Sequence, residues 1–460
     1  MPTQCNTKPM RFEPVDGRSV VADFDGGAIS SEAGALLLRA SDRAIGLVER
    51  FAACFRDARR PDRVVHDIAT LLGQRVFGIA LGYEDVVDHD ALRHDPVLGV
   101  ALGKLEARTR RCAPLAGKST LNRLEHGTAA DDRYRRIAHD PAAIEDLFVS
   151  LFLAAHDRPP ARIVLDLDAT DDPVHGKQEG RFFHGYYDCH CYLPLYVFCG
   201  RHLLAAKLRR ANIDASAGAA DEVARIVGRI REAWPRVRIL LRADSGFARD
   251  GLMSWCEANR VDYVFGLARN PRLVEHIAID LAWAEEGAAR TSKPARRFAD
   301  FRWITRESWS RRRRVVAKAE WMPGRGEAGA NPRFVVTSLK SIEIDARTLY
   351  ERLYCARGEM ENRIKECQLD LFADRTSAAT MRANQLRLWL ASMAYVLLTA
   401  LRRIGLAHTE LAAATCGTLR LKLLKIGAVV TKSVRRVRIA MASACPAAGL
   451  FRLAHARLCP

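Results

Sequence analysis

The sequence predicts an α/β protein. A mixed sheet flanked by helices is interrupted by a β-rich insertion and preceded by a mainly helical region. Three observations predict this. Short apolar runs at 162–168, 237–241 and 263–267 have strand length and alternate with helix-patterned segments around 221–230 and 253–258. Residues 1–155 repeat apolar residues mostly at helical spacing. Residues 270–345 leave that rhythm for β-branched and aromatic runs set among arginines.

At 460 residues the chain has room for two or three domains. Its changes of pattern divide it at 1–155, 156–269, 270–345, 346–406 and a basic tail at 407–460. With 49% hydrophobic and 27% charged residues it reads as globular, not disordered. Lys and Arg number 72 against 54 Asp and Glu, and the formal charge of +18 attracts polyanions, nucleic acid first among them. A membrane surface would need a basic amphipathic anchor, and none stands out. The twelve cysteines include no Cys-x-x-Cys pair, which argues against a zinc ribbon and a secreted disulfide scaffold. Cys189, Cys191 and Cys199 read as buried thiols rather than as metal ligands beside His190. The longest apolar helix candidate, 388–401, is shorter than the ~20 residues that cross a bilayer. No signal-peptide apolar region opens the chain. A soluble protein inside the cell is expected.

In chain order, a strand at 20–24 precedes the Asp25-Gly26-Gly27 turn, and Ser30 or Ser31 can cap a helix through Leu36, Leu37 and Leu38. Arg56, Arg59, Arg60 and Arg63 form a basic patch around Pro61, and 64–81 is helix-patterned. Segment 119–125 sets hydroxyl and amide groups beside arginines, a mixture that suits groove and phosphate contacts and equally an ordinary solvated helix. Residues 186–197 make one or two strands. Asp221 and Glu222 open a helix. The strand at 237–241 ends in Arg242-Ala243-Asp244-Ser245-Gly246-Phe247, an acid and a glycine where α/β sheets place ligand groups. Within 270–345, strands are expected at 298–303, 314–319 and 334–337, with a loop at 324–329. Arg312 and Arg313 belong to a four-arginine run there. Trp303, Trp309 and Trp321 lie among these arginines, placed to stack on bases or to pack in the core. Residues 349–370 return to helix. The tail carries Lys422, Lys425, Lys432, Arg435, Arg436 and Arg438 and is either partly disordered or laid along DNA.

The first apolar run ends in four carboxylates: Asp166, Asp168, Asp171 and Asp172. On a strand, Asp166 and Asp168 share a face, roughly 7 Å apart. Carboxylates this close repel, and a bound divalent cation removes the conflict. A solvated turn after a buried strand is the other reading. Further on, Tyr354, Arg357 and Glu361 share one helical face, with Lys365 a turn beyond. A carboxylate between an arginine and a lysine is held ionised and ready for a cation, or else belongs to a surface ion-pair ladder.

Taken together these motifs resemble the DDE-type insertion-sequence transposases, in the branch called transposase DDE domain group 1. Segments 164–172, 242–247 and 354–366 carry the resemblance most strongly, and Gly82-Tyr83-Glu84-Asp85 and Leu92-Arg93-His94-Asp95-Pro96 add to it. It implies an RNase H-like catalytic core with an N-terminal DNA-binding region. The first acid would be Asp168, in Asp168-Ala169-Thr170, with Asp166 its competitor. The second would be Asp244 and the third Glu361, with Glu359 a weaker rival. The family's Tyr–Arg–Glu–Lys signature is kept by Tyr354, Arg357 and Glu361, while Gln368 stands where Lys is expected and Lys365 could replace it. Two Mg²⁺ or Mn²⁺ ions would be held by Asp168, Asp244 and Glu361, with Asp166 as a further ligand. DNA contacts would come from Tyr354, Arg357, Lys365, Arg312, Arg313 and Trp303. The implied activity is cleavage and strand transfer at terminal inverted repeats. The implied partners are that double-stranded DNA, a target DNA and further copies of the chain. No membrane is implied, and the site of action would be the cytoplasm of a bacterial-type cell, on the nucleoid. A metal-dependent nuclease that never joins, or an inactive DNA-binding protein, are the alternatives.

Overall fold

A computed structural model of the chain describes residues 9–107, 112–127, 136–324 and 329–459. Most of the expected loop at 324–329 lies outside the described residues. The chain divides into two compact units, one of 1–44, 65–121 and 400–460, the other of 45–64 and 122–399. The region 1–155, expected as one block, is therefore shared between the two.

The larger unit is built on an eight-stranded sheet. In chain order its strands are β1 (Arg162–Ala169), β2 (Leu195–Cys199), β3 (His202–Lys207), β4 (Arg238–Ala243), β5 (Asp262–Leu267), β6 (Ala295–Trp303), β7 (Arg313–Trp321) and β8 (Arg333–Thr337). Their order across the sheet is β3-β2-β1-β4-β5-β8-β7-β6. β1, β4 and β5 run parallel, and every other neighbouring pair is antiparallel. In β4 every residue after Arg238 is buried, the continuous apolar run of a strand covered on both faces. Leu165, Leu241 and Phe265 pack on one side against Val223, Ile226 and Ile230 of α1 (Ala219–Ala233) and Met253 of α2 (Asp250–Ala258). Leu240, Val264, Val316 and Val335 face the other side, against Leu349 and Tyr350. The helical stretch that carries Glu361 thus begins on the face opposite α1 and α2.

Two stretches differ from the sequence reading. Residues 270–345 open with helices at Pro271–His276 and Ala278–Thr291 before β6 to β8 extend the sheet. The second of these is rich in Ala and Glu, strong helix formers. Residues 186–197 are split between β2 and a separate three-stranded sheet of Asp172–Pro173, Phe182–His184 and Cys189–Tyr192.

Ala346 to Asp370 forms one continuous helical rod. Its middle turns are α3 (Gly358–Lys365), and π-helical turns at Leu349–Tyr354 and Glu366–Asp370 stand before and after. The apolar helix that follows, α4 (Met381–Ala400), runs on through a π turn to Gly405 and reaches 25 residues. The expectation that it is too short to cross a bilayer is corrected: Arg382, Asn384, Gln385 and Arg387 lengthen it at the start. Of its most apolar window, 83% is buried inside the protein.

In the smaller unit, Met10–Val15 and Arg18–Ala22 form a hairpin, and helices run over Ala35–Ile45 and Ile68–Leu81. The Asp67 carboxylate caps the second of these through Thr70 N. The first begins at Ala35, and the Ser30 hydroxyl instead accepts from Glu32 N. The tail is folded: β9 (Ala428–Lys432) and β10 (Val437–Met441) make a sheet with Ile29–Ser30, followed by a helix at Ala448–Leu458. Gly34 sits where a Cβ would meet the Leu424 backbone at 2.1 Å, so only glycine lets the two segments come this close.

Candidate active site

Strand register places the first two acids. β1 and β4 pair in parallel with Asp166 beside Arg242 and Leu167 beside Ala243. One step further brings Asp168 and Asp244 together at the carboxyl ends of neighbouring parallel strands. Asp244 is extended, and its Oδ1 accepts from Gly246 N at 2.8 Å, which folds the Ser245–Phe247 turn beneath it. Asp168 and Asp244 line a cavity of about 510 Å³, together with Glu361, Arg357, Lys365 and Gln368. Thr170, His184, Tyr186 and Tyr187, from the segment after β1, also line it.

The third acid arrives through packing at Gly266. A Cβ there would stand 2.6 Å from the Tyr354 hydroxyl and 2.9 Å from Ser245 N. Glycine on β5 therefore lets Tyr354 lie close over the turn after Asp244. Tyr354 seats the helix, and three residues later Arg357 links two acids. Its guanidinium donates to Asp168 Oδ2 at 3.0 Å and to Glu361 Oε1 at 2.8 Å. The Glu361 side chain is 48% exposed, so it keeps freedom that Asp168 lacks. Burial pushes the Asp168 carboxyl up to about 6; Arg357 opposes the rise, and Asp244 and Glu361 add to it.

Asp166 is the correction. It is 4% exposed, and both its oxygens are held by the Arg242 guanidinium, at 2.5 and 2.8 Å. Arg242 also donates to the Leu353 carbonyl at 2.6 Å, tying β4 to the helical rod. Asp166 does not line the cavity; it belongs to a closed ion pair between strands. Glu359 is exposed and also absent from the cavity wall.

The expected DNA-contacting residues divide. Arg357 and Lys365 line the cavity, Lys365 with its side chain exposed. Arg313 is 3% exposed and bonded to Asp250 at 2.6 Å and Glu257 at 2.8 Å, both on α2. It is a packing residue, because β7 is covered on both faces. Arg312 is exposed at the mouth of that strand. Trp303 is partly buried against the core beside Phe301 and His276, with Arg272 5.0 Å from the centre of its ring.

Gln368 is the residue whose place sequence reasoning left unexplained. Its amide donates to the Asp171 carbonyl at 3.1 Å and to Asp172 Oδ1 at 3.0 Å. Asp172 is fully buried, and burial pushes its carboxyl up to about 8. A neutral acid and an amide thus clamp the end of the helical rod to the segment after β1. Tyr186 and Tyr187 were also missed as wall residues. Tyr186, 86% exposed, was hidden in a run read only as strand.

The three acids Asp168, Asp244 and Glu361 offer only carboxylate oxygens, the donor type that suits Mg²⁺ or Mn²⁺. Among the described residues, no three His, Cys, Asp or Glu side chains are gathered closely enough to hold an ion. Arg357 supplies the positive charge between Asp168 and Glu361.

The site is thus a mixed-sheet α/β arrangement with two acids at the ends of adjacent parallel strands and a third on a helix lining the same cavity. Comparison gives the family: transposase DDE domain group 1 matches residues 12–460, and the chain belongs to it. It is a transposase. A piggyBac transposase synaptic complex with hairpin DNA is similar to it at 10% identity and a TM-score of 0.40, over 85% of this chain and 78% of that one. No curated protein matches.

Proposed function

We propose that this transposase binds the terminal inverted repeats of an insertion sequence and cuts and joins DNA strands by metal-dependent phosphoryl transfer. The observation that carries the reading is the placement of Asp168, Asp244 and Glu361 around one cavity. The order β3-β2-β1-β4-β5, with β2 alone antiparallel among the three central strands, supports an RNase H-like core. On this reading 156–269 and 346–406 form the core, and 270–345 is an insertion that widens its sheet. DNA contacts would lie in 1–155 and 407–460.

Asp168, Asp244 and Glu361 would hold one or two Mg²⁺ or Mn²⁺ ions. When bound, these supply activation of the attacking oxygen and stabilisation of the leaving oxygen. The chain's own residues do the rest. Burial of Asp168 beside Asp244 builds a local excess of negative charge that favours cation binding. Arg357 holds Asp168 and Glu361 in place, and Lys365 offers an exposed ammonium to the phosphate at the cavity rim. The Asp172–Gln368 clamp fixes the distance between the first and third acids.

The test is incubation of labelled DNA carrying the element's own ends with Mg²⁺, comparing wild type with Asp244→Ala. Metal-dependent cuts at the ends and joined products are expected from wild type, while the variant binds and does not cut. Cuts without joined products would indicate a nuclease. Binding without cuts under any divalent metal would leave a DNA-binding protein.

A further inference from the structure

The last fifty residues hold nine lysines and arginines and no Asp or Glu, half of the chain's formal +18. Four of the nine, Lys432, Arg435, Arg436 and Arg438, lie on the folded hairpin β9–β10. The strands pair from Ala428 with Met441 to Lys432 with Val437. Their tip is closed by Ser433 N donating to the Arg436 carbonyl at 2.8 Å and by Arg436 N donating to the Ser433 hydroxyl at 3.1 Å. The root is fixed. Ala428 and Val430 are buried, and β9 pairs with Ile29–Ser30. The tip is free. Arg435, Arg436 and Arg438 are exposed, and none has an acidic partner among the described residues. Val434 is 105% exposed, more open than in an extended reference chain.

We propose that this tip is a DNA minor-groove probe. The inference rests on the transposase reading above only for the identity of the polyanion as duplex DNA. A buried root and a rigid turn make a projection that loses little freedom when it binds. The minor groove is about 6 Å wide, too narrow for a two-stranded ribbon but open to a single turn with its side chains. Arginines are drawn into its negative potential, most strongly where A·T tracts narrow it. An apolar side chain at the point of such an element is the residue that wedges against sugars and base steps. Ser433, Val434, Arg435 and Arg436 supply this set in four consecutive positions. Solubility alone accounts for exposed arginines but not for a bare valine set beside them at the apex.

The test is binding of the full chain, without divalent metal, to a fluorescent A·T-tract duplex and its G·C counterpart. Wild type is compared with Arg435→Ala/Arg436→Ala and, separately, Val434→Asp. All three side chains are exposed, so the variants fold. The double variant is expected to lose at least about tenfold in affinity for the A·T duplex, and its plot of log affinity against log salt to flatten by about 2. Val434→Asp is expected to bind more weakly with a near-normal slope. Netropsin, a minor-groove ligand, should displace wild type far better than the double variant. Unchanged affinity and slope in the double variant overturns the proposal. So does displacement by a major-groove ligand such as methyl green with none by netropsin. Wild type that binds no duplex at all overturns the end-binding and cutting function proposed above. Loss of cutting in Asp244→Ala leaves these binding results untouched, so the two readings fail separately.

Discussion

β1 carries two aspartates two residues apart, each beside an arginine, and the two pairs do opposite work. At the level of Asp166 the arginine comes from the next strand, both partners are almost fully buried, and all three guanidinium nitrogens donate inside the protein. At the level of Asp168 the arginine comes from a helix, shares itself with the half-exposed Glu361, and borders a cavity. Alternation on a strand puts the two acids on the same face, so the face does not decide their fates. Distance from the end of the strand does. Where β4 still runs alongside, Asp166 is closed over. One step past the end of β4, Asp168 has open space and a second acid in front of it.

The comparison breaks most visibly in activity. Asp168→Asn is expected to lower end cleavage by about a thousandfold or more, the scale of several kcal/mol of lost charge stabilisation. Asp166→Asn should retain cleavage in whatever fraction stays folded. If gel assays show the reverse, the two acids have exchanged roles. Stability should run the other way. Asp166→Asn leaves Arg242 buried without its counter-charge, at a cost of about 3–5 kcal/mol in urea unfolding. Arg357 in Asp168→Asn still has Glu361.

The pH dependence adds a second contrast, between Asp168 and Asp172. The Asp168 carboxyl sits near 6 when folded, above its unfolded value. The folded form therefore holds the proton longer, and metal-free stability falls as pH rises from about 4 to about 6. Asp168→Asn removes that loss, so the metal-free variant should be more stable than wild type at neutral pH, by no more than about 3 kcal/mol. Asp172, near 8, has a wider window: the advantage of Asp172→Asn should keep growing up to about pH 8 and then level off. Thermal unfolding across pH 4–9 separates the two windows, and identical windows would remove the assignment. The smallest expected effect is that of Gln368→Leu. It leaves Asp172 Oδ1 without its donor and should cost about 1–3 kcal/mol.

The parallel strands β1 and β4 were legible because each is an apolar run ending in an acid, as at 162–168 and 237–244. The positions of Asp168, Asp244 and Glu361 around one cavity followed from motif order. The competition between Asp166 and Asp168 was not legible, because it turns on which residue of β4 lies opposite, and register is a property of two segments at once. Arg313 misled for a similar reason: a run of arginines reads as surface until α2 supplies Asp250 and Glu257 to bury it. The hairpin at 428–441 was concealed by its charge, which reads as a tail when its root partner, Ile29–Ser30, lies at the far end of the chain.

That last pairing also sets an order of events during synthesis. Ile29 finds its strand partner only when Val429 has been made. At about 5–20 residues per second the early segment waits on the order of a minute or less on the ribosome, with its edge unpaired. A product cut short by a stop codon or frameshift anywhere before β9 would never complete this small sheet. Full-length translation is thus a checkpoint on the basic hairpin: incomplete copies would lack it and leave Ile29–Ser30 without a strand partner.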